Sequence, residues 1–180
     1  MTQPDLSQTP ADTRDEPAIA NPGPAGLRRI LRQVKTVAMV GVSPNPVRPS
    51  NYVGRYMSLK GFRVIPVNPV HAGKRLFGEE IRPSLAEIPD SVGPIHMVDI
   101  FRRSEEAGAV VDEALAHLMA RDLQVIWMQI GVIDPAAAER ARAAGLEVVM
   151  NLCPKMEYQR LFGELSRAGI NTGLISSKLR

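Results

Sequence analysis

The stretch from Thr36 to Lys60 limits what this chain can become more than any other. Val37 to Val40 is an apolar run with no alternation, the pattern of a strand buried on both faces. It stops at Gly41, where the chain can turn with no side chain in the way. A proline-rich loop from Ser43 to Pro49 follows, and Ser50 stands where an N-cap is expected. Tyr52, Val53, Tyr56, Met57 and Leu59 then recur at the spacing of an amphipathic helix. Strand, glycine turn and capped helix together are how α/β folds present backbone amides and a helix N-terminus to a phosphate.

The charge distribution supports an anionic ligand at that turn. Between Pro17 and Gly78 there is no Asp or Glu, but there are ten cations, among them Arg48, Arg55, Lys74 and Arg75. The rest of the chain holds 12 basic against 19 acidic residues, so the overall net charge of +3 conceals a one-signed segment. Such a field attracts polyanions. A solvated basic face or a non-specific nucleic-acid patch is the plainer reading of the same charges.

The rest of the chain alternates strand and helix signals. Residues 1–26 have few large apolar side chains and read as a disordered tail. Leu27, Ile30, Leu31 and Val34 mark a short helix leading into the first strand. A second strand runs from Phe62 to Asn68-Pro69, with Pro66 predicting an edge or a bulge. Beyond a glycine-containing loop, Pro83 to Ile88 reads as a turn or two of helix. Ile95–Ile100, Gln124–Met128 and Leu146–Met150 are the third, fourth and fifth strands. Helices follow them from Ser104 or Glu105 to about Ala120, from Pro135 behind the cap Asp134, and from Lys155 to Leu165. Residues 27–165 are thus expected to form one doubly wound, Rossmann-like α/β domain: a five-stranded parallel sheet with helices on both faces. Residues 166–180 read as a C-terminal tail.

In such sheets ligands bind beyond the carboxyl ends of the strands, so the segments after each strand matter most. A dinucleotide fingerprint starting at Gly41 would need glycines at 43 and 46, where Ser43 and Pro46 stand. The acidic residue that would hold a ribose 2′-hydroxyl is missing, since the second strand ends in Asn68-Pro69. NADP, which uses cations there, stays compatible, as does coenzyme A with its 3′-phosphate.

Five ordered motifs resemble the small bacterial CoA-binding proteins, stand-alone relatives of the CoA-binding half of the succinyl-CoA synthetase α subunit. They are Val40-Gly41-Val42-Ser43 with Arg48-Pro49-Ser50, Ile65 to Pro69, Asp99 to Arg102, Trp127 to Gly131, and Cys153 with Glu157. The resemblance covers about Leu31 to Leu161. It implies that coenzyme A or an acyl-CoA binds at the sheet edge, with Gly41, Val42 and Ser43 around the pyrophosphate. Arg48, Pro49 and Ser50 would add positive potential, and Asn68, Pro69 and Lys74 would border the adenine and its 3′-phosphate. Ile100, Phe101 and Arg102 would line the adenosine–pantetheine side, with Gln129 and Gly131 further along the channel. Each has a plainer reading: Arg48 as a solvated arginine, Phe101 as packing.

No catalytic or metal-binding constellation is legible. His71, His96 and His117 fall in a loop, a strand and a helix with no Ser-His-Asp order. Cys153 precedes a helix, where a thiolate can be stabilised, or is simply a small buried residue. The single cysteine and the absence of an apolar run of roughly 18 residues set the expectation of a soluble cytoplasmic protein with no membrane partner. The reading is a CoA-binding protein of regulatory, sensor or carrier type, with a homo-oligomer or an acyl-CoA enzyme as partner. The alternatives are an NADP-dependent oxidoreductase or a subunit of an acyl-CoA-processing enzyme.

Overall fold

Five parallel strands, each short and almost wholly buried, set the architecture of the computed structural model, which describes residues 21–164. In chain order the elements are α1 (Pro24–Gln33), β1 (Thr36–Val40), α2 (Pro49–Leu59), β2 (Arg63–Val67), β3 (Arg75–Leu76), β4 (Glu79–Glu80) and β5 (Met97–Ile100). Then come α3 (Ser104–Leu118), β6 (Val125–Met128), α4 (Pro135–Ala143), β7 (Glu147–Val149) and α5 (Pro154–Leu161). The main sheet has the order β2-β1-β5-β6-β7. The chain therefore winds outward from β1 to one side and then, from β5, to the other. This is the expected doubly wound parallel sheet, with its switch point between β1 and β5.

The period of two along each strand explains the two cores. Ala38, Val40, Val98, Ile100, Ile126 and Met128 face one side, where α3 and α4 bring Ala107, Val111, Ala137 and Ala141. Val37, Met39, Met97, Val125 and Trp127 face the other, against Leu27 and Ile30 of α1, Val53 and Met57 of α2 and Leu161 of α5. Within this second face Asp99 lies between its strand neighbours Met39 and Trp127. It is the one carboxylate in that row, and it is completely buried.

Several elements begin or end differently from the sequence reading. The structure reaches back beyond Leu27: α1 starts at Pro24, and Asn21 bonds the Met150 backbone in both directions, at 2.7 Å each. Residues 1–20 and 165–180, and with them the C-terminal tail and the last residue of the expected final helix, lie outside the described residues. Pro83–Ile88 is not helical; its chain turns irregularly before a short 3₁₀ turn at Asp90–Val92. The glycine-containing loop carries an antiparallel pair, β3 and β4. Phe77 at its tip adopts φ 54° and packs on α2 where a Cβ at Gly54 would come within 2.5 Å of its ring. Pro66 does sit on the edge strand, paired with Met39, and its carbonyl accepts from Arg82 at 2.8 Å. No described helix is long and apolar enough to cross a membrane.

Candidate functional site

All five post-strand segments converge on one cleft of about 890 Å³ at the carboxyl edge of the sheet. That is within the usual range for small-molecule sites. Its base is set by Gly41. The residue has φ +85°, and a Cβ there would lie 2.2 Å from the Phe101 carbonyl oxygen, so only glycine lets β1 and β5 end side by side. The loop that follows is stitched to α2. Ser43 N–H donates to Ser50 Oγ at 3.0 Å, and Asn51 Nδ2 donates to the Ser43 carbonyl at 2.9 Å. Ser50 is therefore not the cap. Arg48 takes that position, Pro49 occupies the first helical turn, and the Ser50 hydroxyl anchors the loop instead. Tyr52 and Leu59, expected on the buried face of α2, are exposed, while Asn51 and Gly54 are buried with Val53 and Met57.

Nine of the fourteen predicted binding residues line the cleft: Gly41, Ser43, Arg48, Pro49, Ser50, Asn68, Phe101, Arg102 and Gln129. Five do not. Val42 and Ile100 are sealed into the two cores, so their side chains cannot meet a ligand. Pro69 is exposed and outside the lining. Lys74 is drawn along the β2 edge, where its carbonyl accepts from Ile81 at 2.7 Å. Gly131 spends its amide on Asn151 Oδ1 at 2.8 Å, and its carbonyl accepts from the Ser104 hydroxyl at 3.2 Å. The amides of Gly41 and Ser43 are also committed, to the Val67 carbonyl and the Ser50 hydroxyl. Side-chain cations and the N-terminus of α2 are then what the cleft offers an anion at this end.

Arg48 and Arg102 make no side-chain hydrogen bond or ion pair among the described residues, although both line the cleft. Lys155 in the first turn of α5 joins them, its Nζ 5.7 Å from the Tyr52 ring centroid and 5.6 Å from that of Tyr56. Sequence reasoning missed Lys155, together with Tyr52, Val53, His71, Glu106, Val132 and Met156. The post-strand rule covered Ile130 and stopped just short of Lys155 and Met156. The carboxylates in the lining reduce to Glu106, which Arg103 binds at 2.6 Å. Asn68, standing where a ribose-binding acid would be, bonds inward: its Nδ2 donates to the Val42 carbonyl at 2.8 Å and its Oδ1 accepts from Val70 N–H at 2.9 Å.

Gln129 and Cys153 line the cleft, and Asp99 is buried behind Gln129. Gln129 Nε2 donates to both Asp99 oxygens, at 2.9 and 3.1 Å. Burial pushes the Asp99 carboxyl up to about 7, against the lowering pull of the Gln129 amide. The Cys153 thiol is also raised, by burial first; the Met156 and Lys155 amides and the Lys155 ammonium oppose this, and Asp99 adds to it. The helix start at Cys153 thus fails to stabilise a thiolate, because desolvation outweighs the amides. Cys153 is the small, nearly enclosed residue of the plainer reading. Among the described residues no group of three or more His, Cys, Asp or Glu is placed to hold a metal ion.

Comparison with known proteins identifies the scaffold. The model of the CoA binding domain family matches residues 35–159. The chain belongs to that family. It is 36% identical over 138 residues to the uncharacterized protein YneT of Bacillus subtilis strain 168, a match covering 77% of this chain and 96% of that protein. A structure from Thermus thermophilus, cell-free ID.343, is 35% identical with a TM-score of 0.71, covering 78% of this chain and all of the other. A hypothetical protein from Pyrococcus horikoshii OT3 is 32% identical with a TM-score of 0.71, covering 82% and 97%. In this domain Arg48, Arg102 and Lys155, with no ion pair among the described residues, line the cleft, and β2 ends in Asn68-Pro69 rather than in a carboxylate.

Proposed function

We propose that the chain binds coenzyme A or an acyl-CoA in the cleft at the carboxyl edge of its sheet. The observation that carries this reading is the trio Arg48, Arg102 and Lys155, cations without ion-pair partners among the described residues, around a cleft whose β2 end runs into Asn68-Pro69. Arg48 stands at the N-terminus of α2, where the helix dipole adds to its field. The nucleotide end, with its 3′-phosphate and pyrophosphate, would lie toward Arg48 and Arg102. The pantetheine arm would run across β5 and β6 toward Cys153 and Met156. What bound coenzyme A supplies is a thioester carrier; the residues of this chain bind and orient it. We read the role as a sensor, carrier or regulatory subunit without its own catalysis, acting on a second copy or on an acyl-CoA enzyme.

A ligand-induced stability panel tests this reading. Coenzyme A and acetyl-CoA are expected to raise the thermal midpoint at concentrations where NAD does nothing and NADP does little. A larger shift with NADP than with coenzyme A would replace this reading with that of an NADP-dependent oxidoreductase.

A further inference from the structure

Asp99 is costly where it stands. A carboxylate sealed in an apolar row, with one neutral amide as its hydrogen-bond partner, lowers stability relative to an apolar residue of the same size. Departures of this kind from good packing are expected where a site needs them. What the carboxylate does structurally is specific. Ionised, as it is above about pH 7, it accepts from a single nitrogen of Gln129 with both oxygens, so the amide then has one orientation in which it can sit. The NH₂ end is turned inward. The Gln129 Oε1 accepts no hydrogen bond within the described residues, yet no buried side-chain oxygen among them lacks a partner; Gln129 lines the cleft, so this oxygen opens onto it.

We propose that Asp99 is a positioning residue that fixes the Gln129 carbonyl oxygen in the cleft as an acceptor for an N–H of the ligand. The inference rests on the coenzyme A reading, and there the donor is an amide of the pantetheine arm. The placement agrees: Gln129 follows β6, two strands away from Gly41 and so roughly 10 Å along the sheet edge from the phosphate end. A nucleotide without the arm has no N–H to offer at this point. The pair therefore discriminates coenzyme A from its nucleotide fragment, and an unlocked amide, able to present its NH₂ instead, discriminates less.

The test compares coenzyme A with adenosine 3′,5′-bisphosphate on the purified full chain by calorimetric titration at pH 8, where Asp99 is ionised. Gln129→Leu is expected to weaken coenzyme A on the order of tenfold while the bisphosphate changes by less than about twofold. Asp99→Asn, which pairs with Gln129 in either orientation, is expected to weaken coenzyme A several-fold with the same selectivity. The double variant should bind coenzyme A no more weakly than Gln129→Leu alone, because Asp99 acts through Gln129. If Gln129→Leu does not fold with a charge left beneath it, the double variant lifts that charge and reads the same ratio. Additive losses, or equal losses for both ligands, would mean that Asp99 is merely structural. An unchanged coenzyme A affinity in Gln129→Leu overturns the proposal while leaving the ligand reading intact. A wild type that binds neither ligand removes both.

Discussion

The Asp99 carboxyl makes this fold grow less stable as pH rises through the acid-to-neutral range, and Asp99→Asn removes that dependence. The ordinary value for such a group is 3.8, and burial raises it to about 7 in the fold. Between those values the folded chain holds a proton that the unfolded chain releases. Stability from this group is therefore complete below about 4, declines as pH rises toward 7, and is lost above it. At 1.36 kcal/mol per unit the full swing is ~4 kcal/mol, of which about 2 kcal/mol falls between pH 5 and pH 7. The asparagine side chain of the variant cannot titrate, so the difference in unfolding free energy between variant and wild type should move by about that amount in the variant's favour across this window. Taking the difference cancels groups that titrate alike in both chains. The Cys153 thiol stays neutral throughout and does not enter. Urea unfolding of both chains at pH 5, 6, 7 and 8 measures it. A difference that is the same at every pH would show that Asp99 ionises alike in the folded and the unfolded chain and would refute the reasoning.

Gly41→Ala is expected to destabilise the chain by more than about 2 kcal/mol in urea unfolding, since it combines left-handed strain at φ +85° with a Cβ 2.2 Å from the Phe101 carbonyl oxygen. Arg48→Ala should change unliganded stability by less than about 0.5 kcal/mol, because the side chain is exposed and makes no ion pair among the described residues. It should nonetheless weaken coenzyme A by about 1.5–3 kcal/mol in a binding titration, the loss of one charge-assisted contact. Cys153 should resist alkylation in the folded chain at pH 7 and react once urea unfolds it, as intact mass would report, because the thiol is both enclosed and held protonated.

Much of this architecture was legible because the strands are buried on both faces and so appear as unbroken apolar runs. Val37–Val40 and Val125–Met128 could hardly be anything else. Asp134 before Pro135 likewise announced a helix start, and its carboxylate accepts from Ala137 N–H at 2.9 Å. Ser50 misled for an instructive reason. Its hydroxyl is used as a loop anchor through Ser43, and hydrogen-bond partners seven residues apart leave no local signature. The β3–β4 hairpin was missed because each strand is two residues long and is held by Phe77 against Gly54, a contact between distant segments.

The site divides in the same way. Reading the residues after each strand found Gly41, Ser43, Arg102 and Gln129, since the sheet dictates where those residues must go. It also swept in Val42 and Ile100, which are neighbours in sequence but point into the cores. Lys155 escaped because its approach to Tyr52 and Tyr56 requires α5 to fold beside α2. Asp99 was quoted only as part of a motif. Its importance depends on total burial and on the amide of Gln129, neither of which a strand pattern reveals.

Calorimetric titration of coenzyme A and of NADP into the purified chain, side by side, tests the central claim most directly. Saturable heat with one coenzyme A per chain, and binding tighter than that of NADP, is the expected result. Equal or tighter binding of NADP, or no heat with coenzyme A while the chain remains folded, would contradict it.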